Sequence, residues 1–334
     1  MLEEFKTIKD LEKYFINEDT AREYLEDYRW PNGPICPKCG SNQFYILKTV
    51  KQYCCKTCRK NYSVRVGTIF DNSAVPLSKW FTAIFLLSND KRSMSSVQVG
   101  EWIGVTQRTA WFMNHRIRVM MNTNNVELME GIIQMDEIYT GGKKDKVSKA
   151  RKEKMVKGSG SVGKIPVIGI AETETGKKRY FTTTEVTTEI IEGIINTNVS
   201  KDSILVTDGS PLYTTVGREF NNHIALNHSK GEFGKDGYHS NDIEGSFRHF
   251  RGYLDGTFKG MVRPWHLQKY ANEFIYKNDR REKVILALSK AKKPTIVLKT
   301  ILTPENLKKV LRYKDLVLLN PNHNRKWDEL RQAC

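Results

Sequence analysis

The sequence predicts an α/β chain whose second half is a mixed domain of strands and helices, preceded by a small metal-closed module and a helical hairpin. Three observations predict it. Beyond residue 128, apolar runs of strand length (Gly131–Tyr139, Ile165–Ala171, Lys178–Thr184, Ser203–Thr207) are joined by helical spacing over Thr188–Asn198 and again from Asn241. Cys36, Cys39, Cys55 and Cys58 form two CxxC pairs in one short segment. Between Pro76 and Asn122 the apolar residues recur at helical spacing, with Gly104 breaking the run.

Composition narrows the partners. Apolar residues make up 39% of the 334, enough for a core, and Lys and Arg outnumber Asp and Glu by 54 to 38. The resulting +16 favours a polyanion, nucleic acid first. The start, MLEEFKTIKD, lacks the basic and apolar pattern of a secretory signal. The longest apolar run, Trp80–Leu87, falls far short of the ~20 residues that span a bilayer. The expectation is a cytoplasmic, nucleoid-associated protein with no membrane partner. In a reducing compartment, paired cysteines point to metal rather than disulfides.

Residues 1–30 read as a helical segment, with Phe5, Ile8, Leu11 and Phe15 on one stripe and Tyr24, Leu25 and Tyr28 after a break at Asn17–Thr20. Residues 31–70 read as a zinc ribbon. Its four thiolates suit one tetrahedral Zn2+, which folds a segment too small to hold itself by burial, and Gln43–Tyr53 alternates like a hairpin. Cys54 is set aside because only Cys55 completes a CxxC with Cys58. Residues 76–124 read as a helix-turn-helix, with apolar positions at Trp80, Ile84, Leu87, Val97, Trp102, Ala110, Met113 and Ile117. Thr106 caps its second helix, which offers Gln107, Arg108, Arg116 and Arg118 to DNA. The plainer reading is a helical hairpin with a solvated basic face.

Residues 128–280 carry strand, strand, strand, helix, strand, a fifth strand at His223–Asn227, then helix, which is the layout of a ribonuclease H-like domain. Between the first two strands lies a basic loop. Its Lys143, Lys144, Lys146, Lys149, Arg151 and Lys152 are candidates for contact with the DNA backbone, against the plainer reading of a solvated loop. Residues 281–334 form a tail, helix-like over Val284–Lys290 and strand-like over Thr295–Leu302, with a further helix from Pro304 and no evident chemistry.

Three acids stand in contexts suited to divalent metal. Asp136 ends one apolar run, Asp208 ends another, and Glu244 sits in the helix from Asn241. Such a trio can hold two Mg2+ (or Mn2+) ions for phosphodiester chemistry. Glu137 adjoins Asp136, but a strand turns neighbours to opposite faces, so Asp136 is the preferred ligand. In the helix, Ile243, Phe247, Phe250 and Leu254 share an apolar stripe, while Asn241, Glu244, Arg248 and Arg251 share another that can present a ligand and phosphate clamps together. Taken alone, Glu244 and Arg248 also fit an ordinary i, i+4 salt bridge.

The motifs MDEIYTGGK around Asp136, VTDGS around Asp208 and HSNDIEG with Arg251 seven residues after Glu244, behind a zinc ribbon and a helix-turn-helix, resemble the DDE transposases of the insertion-sequence 1595 group, ISXO-like and related to Merlin elements. The resemblance covers about residues 30–280. It implies Asp136, Asp208 and Glu244 as the catalytic, Mg2+-binding acids, Arg251 as the basic residue after them, and His239 and Asn241 as leading positions of the last motif. Members usually carry a Trp shortly after the Glu, where this chain has Phe247. The implied activity is cleavage at terminal inverted repeats and strand transfer into target DNA, by at least a dimer on double-stranded DNA. Two alternatives are a DNA-binding regulator with an inactive catalytic domain and a structure-selective nuclease.

Overall fold

The computed structural model describes residues 5, 7–90, 92–122, 127–141, 164–220, 222–226, 234–235, 237–260, 262–279, 282–286 and 295–299. They divide into two compact units, one drawn from residues 1–90, 94–121 and 282–334, the other from 91–93 and 122–281.

The first unit opens with α1 (Ile8–Tyr14) and α2 (Glu18–Arg29). The break between them is a capping box: the Asn17 side chain accepts from the Thr20 amide at 2.9 Å, and the Thr20 hydroxyl accepts from the Asn17 amide. A three-stranded antiparallel ribbon follows, β1 (Phe44–Leu47), β2 (Gln52–Cys55) and β3 (Asn61–Tyr62). Trp30 packs edge-on against Tyr53 and Tyr62, and the Tyr53 hydroxyl donates to Glu26 at 2.8 Å, so α2 braces the ribbon.

Three more helices complete this unit: α3 (Leu77–Asn89), α4 (Ser96–Ile103) and α5 (Gln107–Met120). Trp80, Ile84, Leu87, Ala110, Met113 and Ile117 are buried, as their spacing predicts. Gly104 ends α4 at φ +63°, and Thr106 caps α5 by accepting from the Thr109 amide at 3.2 Å. A Cβ on Gly100 would stand 2.9 Å from the Val105 carbonyl, so glycine there lets the turn close tightly.

Two expectations for this hairpin are corrected. Val97 and Trp102 are 51% and 63% exposed; the inward face of α4 is Val99, Gly100 and Ile103. Arg116 and Arg118 are only 8% and 2% exposed, not free to meet DNA. Spacing assigned them to a polar stripe, but every residue from Met113 to Arg118 is buried, because α5 runs through the interior. Arg116 donates to the carbonyls of Ile69 and Asp71, 2.7 Å each, with its guanidinium 4.2 Å from the Phe112 ring centre. Its charge ties down the segment between ribbon and α3.

The second unit is built on β4 (Ile132–Thr140), β5 (Ile165–Glu172), β6 (Lys178–Thr182), β7 (Ile204–Asp208) and β8 (Asn222–Leu226), in the order β6-β5-β4-β7-β8. The first three are antiparallel neighbours, while β7 is parallel to both β4 and β8. Parallel pairing needs a crossover, supplied by α6 (Thr188–Asn198) between β6 and β7 and by α7 (Pro211–Gly217) between β7 and β8. A two-residue pair, β9 (Gly234–Lys235) with β10 (Tyr238–His239), leads into α8 (Asn241–Phe258) and α9 (Pro264–Asp279). Neither α7 nor α9 was anticipated.

Strand alternation splits the core into two layers. Ile133, Met135, Ile168, Ile170 and Leu205 pack under Ile191 and Ile195 of α6 and Tyr213 of α7. On the other face Ile138, Val167, Ala171 and Tyr180 meet Ile243, Phe247, Phe250 and Leu254 of α8, with Leu267 and Phe274 of α9.

Residues Glu282–Leu286 and Thr295–Lys299 form an antiparallel pair, β11 and β12. The helical expectation for Val284–Lys290 is therefore corrected over 284–286: Val284, Ile285 and Leu286 pair strand to strand with Val297, Ile296 and Thr295. The helix expected from Pro304 lies outside the described residues.

Candidate active site and metal centres

The three acids come within reach of one another's charge in the second unit. Asp136 lies on the central strand β4, Asp208 is the last residue of its parallel neighbour β7, and Glu244 occupies the first turn of α8. Asp136 is half-buried. Its carboxyl is pushed up to about 7, first by burial and then by the charges of Glu137, Asp208 and Glu244, against the Glu137 amide that donates to it at 2.8 Å. Asp208 accepts from the Ser210 amide at 3.0 Å, fixing its carboxylate across the turn into α7. Glu244 accepts a hydrogen bond from the Ser240 hydroxyl.

Glu137 follows the alternation to the opposite face, where the Tyr213 hydroxyl donates to it. Burial raises its carboxyl, partly offset by Tyr213, and burial with the Glu137 charge raises the Tyr213 phenol far above its usual range.

Two residues outside the acid trio bring α8 onto the sheet. Gln134, two positions before Asp136 and on the same face, is almost fully buried. Its carbonyl accepts from the Asp242 and Ile243 amides at 3.0 and 3.1 Å, and its NH2 donates to the Asp242 carboxylate at 2.8 Å. Gly169 is the cross-strand partner of Asp136; a Cβ there would stand 2.7 Å from the Phe247 ring and 2.8 Å from Ile243. A polar residue inside the apolar run GIIQM is the signal that marks Gln134, whereas nothing local marks Gly169.

The remaining candidates divide. Asn241, Arg248 and Arg251 are exposed on the outward stripe of α8, beside Glu244. His239 is half-buried on β10, its Nδ1 without a hydrogen-bond partner among the described residues. Gln107 and Arg108 are exposed at the start of α5, Gln107 donating to Ser96 at 3.0 Å. Lys143, Lys144, Lys146, Lys149, Arg151 and Lys152 lie outside the described residues.

The sulfur atoms of Cys36, Cys39, Cys55 and Cys58 lie within 4.8 Å of one another. Each CxxC closes a turn: the Gly40 amide donates to Cys36 and the Arg59 amide to Cys55, with Gly40 at φ +75° and Arg59 at φ +53°. The Cys55 thiol is held down at about 6, first by the Cys58 backbone amide, while burial and the neighbouring thiols push the Cys39 thiol up. Among the described residues this is the one closed group of metal-ligand atoms. The three carboxylates share electrostatic reach rather than that tight spacing.

Residues 128–279 match the ISXO2-like transposase domain, and residues 16–61 match the transposase zinc-ribbon domain. The chain thus carries an ISXO2-like transposase domain behind a transposase zinc ribbon. A relative from Halobacterium salinarum, described as an uncharacterized protein in transposable element ISH50, is 26% identical over 267 residues, 76% of this chain and 90% of the relative. A solved structure, the cryo-EM intasome of simian T-cell lymphotropic virus with PP2A regulatory subunit B56 gamma, aligns with 61% of this chain and 74% of its own at 11% identity. Its TM-score of 0.31 is too low to bear on the fold. The zinc-ribbon match and the four gathered sulfurs together support one structural Zn2+. Phe247, the departure from the family's usual Trp, is a core residue here, set against Gly169 and 5.2 Å from the Tyr180 ring. Among the described residues no helix is long and apolar enough to cross a membrane.

Proposed function

We propose that this chain is a DDE-type DNA transposase, cleaving at the terminal inverted repeats of its element and joining the freed ends to target DNA. The observation that carries the reading is the convergence of Asp136, Asp208 and Glu244, within reach of one another's charge, inside the ISXO2-like transposase domain. The strand order, three antiparallel strands continued by two parallel ones with acids at the centre, supports a ribonuclease H-like domain.

The carboxylate cluster fits divalent cations, because several acids crowd a half-buried Asp136 whose carboxyl rises to about 7, first by burial and then by their charges. Asp136, Asp208 and Glu244 would together hold Mg2+ or Mn2+ ions, two to a site. Such ions supply Lewis acidity for phosphodiester hydrolysis and transfer. The chain's own residues do the rest. Asp136 must give up its proton before it can serve, Asp208 is fixed by the Ser210 amide, and Glu244 is aimed by Ser240. Arg248 and Arg251, exposed on the same stripe, hold phosphate in line.

DNA is the partner, engaged by a helix-turn-helix formed of α4 and α5, with the ribbon beside it in sequence and the basic residues Lys143–Lys152 as backbone contacts. Pairing two element ends calls for at least a dimer. Within α5, Gln107 and Arg108 carry base recognition from the helix N-terminus. Arg108→Ala should weaken binding to end DNA about 10-fold or more at unchanged melting temperature. Arg116→Ala should instead lower the melting temperature, since it strands two carbonyls in the interior. Gel-shift titration with thermal melting checks both; equal melting losses for the two variants would contradict the division.

The decisive test incubates the protein with duplex DNA from its own element ends, in Mg2+ or in EDTA, beside Glu244→Gln. Metal-dependent nicking at the repeat ends that the variant lacks is expected, with joined products marking strand transfer. Specific binding without cleavage by the wild type would favour a regulator. Cleavage of branched DNA regardless of end sequence would favour a structure-selective nuclease.

A further inference from the structure

Helix α8 begins in an unusual way. Ser240 stands at its N-cap, the position where a serine hydroxyl ordinarily accepts from a first-turn amide, yet its side chain makes no capping bond. It donates instead to the Glu244 carboxylate, one turn along. The amides a serine cap would take, those of Asp242 and Ile243, are bonded to the Gln134 carbonyl on β4. The same Gln134 also donates to the Asp242 carboxylate and, at 3.2 Å, to Thr173.

We infer that Gln134 and Ser240 divide between them the work of one N-cap, and that this division makes Ser240 a positioning residue for Glu244. Gln134 caps the helix from the sheet, so that the end of α8 is fixed to the strand bearing Asp136. The Ser240 hydroxyl is thereby available to hold one oxygen of Glu244 and aim the other toward Asp136 and Asp208. The backbone supports the same geometry: the Glu244 amide donates to the Ser240 carbonyl at 3.1 Å, so both ends of the Ser240–Glu244 link are tied. Ser240 is 5% exposed, so water competes little for that hydroxyl. An outer partner of this kind, orienting a ligand without touching the cation, governs metal affinity more than fold stability.

The inference rests on the proposed acid trio, and its test separates the two. Mn2+ alone is titrated by calorimetry into the zinc-loaded full chain, with melting temperatures taken in a buffer that strips Mn2+ but leaves the ribbon loaded. Ser240→Ala should weaken Mn2+ binding about 10-fold or more, with its metal-free melting temperature close to wild type. Ser240→Thr, which keeps the hydroxyl, should recover most of the affinity. Gln134→Met should show the reverse emphasis, a clear fall in melting temperature from the uncapped helix. Wild-type Mn2+ binding that Asp136→Asn removes but Ser240→Ala leaves intact would overturn the positioning role and spare the trio. So would a Ser240→Ala variant that melts earlier yet binds Mn2+ as before, since that is how an ordinary cap behaves. Absence of any Mn2+ binding that depends on Asp136 would overturn the trio itself, and this inference with it.

Discussion

Asp136→Asn should abolish the proposed DNA cleavage and, in EDTA at pH 8, should raise the melting temperature of the protein. Both effects come from one carboxyl. Charge stabilisation by cations is worth several kcal/mol, so losing one of their proposed ligands should cost about three orders of magnitude in rate or more. The stability gain follows from the raised pKa. Below about 4, the ordinary carboxylate range, Asp136 is protonated in both the folded and the unfolded chain and contributes nothing either way. As pH climbs from there to about 7, the unfolded chain releases the proton while the folded chain keeps it, so folding stability falls. Above about 7 the whole cost is present, because the folded site must carry the charge beside Glu137, Asp208 and Glu244.

Asparagine keeps the shape and the acceptor for the Glu137 amide without that charge. Discounted for partial solvent access, the gain is roughly 1–2 kcal/mol, or about 2–6 °C in melting temperature at pH 8. It should vanish near pH 4. Added Mg2+ should reverse the order, stabilising the wild type and leaving the variant unmoved. Scanning fluorimetry across pH, with and without Mg2+, checks this; a variant that melts earlier than wild type at pH 8 in EDTA would refute it.

Gly169→Val should cripple both folding and cleavage from a position that carries no chemistry. Gly169 pairs with Asp136 across β4 and β5 and with Tyr180 across β5 and β6, so it lies at the middle of the sheet under α8. Even the first added carbon would fall 2.7 Å from two atoms of the Phe247 ring. That ring is held by Tyr180 at 5.2 Å, and α8 is further tied down by the 2.6 Å bond from the Tyr180 hydroxyl to Ser246. The helix must lift or tilt. Overpacking of this kind costs about 1–3 kcal/mol for alanine, with valine above that range. Because Glu244 rides on the same helix three residues before Phe247, cleavage should fall further than stability alone explains. Gly169→Ala combined with Phe247→Leu should recover part of both, since the smaller side chain vacates the clash. A Gly169→Ala variant matching wild type in melting temperature and cleavage would show that α8 does not need this close approach.

Much of the fold was legible because burial on one side of an element leaves a period in the sequence. The strand runs from residue 131 to 207 and the helix over Thr188–Asn198 fall where alternation and helical spacing place them. The fifth strand came out one residue early, at Asn222–Leu226 rather than His223–Asn227, because a short edge strand has few alternations to fix its frame. α7 is not legible in the sequence, since seven residues give only two turns in which to display a period. α9 bears a readable stripe in Leu267, Ala271, Phe274 and Ile275 but no chemical motif. The hairpin of α4 and α5 shows the opposite failure. Spacing reports which residues lie on one stripe but not how many sides of a helix are covered, so Trp102 was placed inside and Arg116 and Arg118 outside.

By itself the sequence determined the Cys quartet and the alternation that separates Asp136 from Glu137, since each depends on residue type and local spacing; the acid trio came from motifs and is proposed as the site. Only the tertiary structure decided how α8 is held against β4. Gln134, Gly169 and Ser240 act through contacts 108, 78 and 4 residues away in the chain, from Gln134 to Asp242, Gly169 to Phe247 and Ser240 to Glu244. Gly169 carries no local pattern and Gln134 only that of a polar residue in an apolar run, because what selects both is the surface of another element.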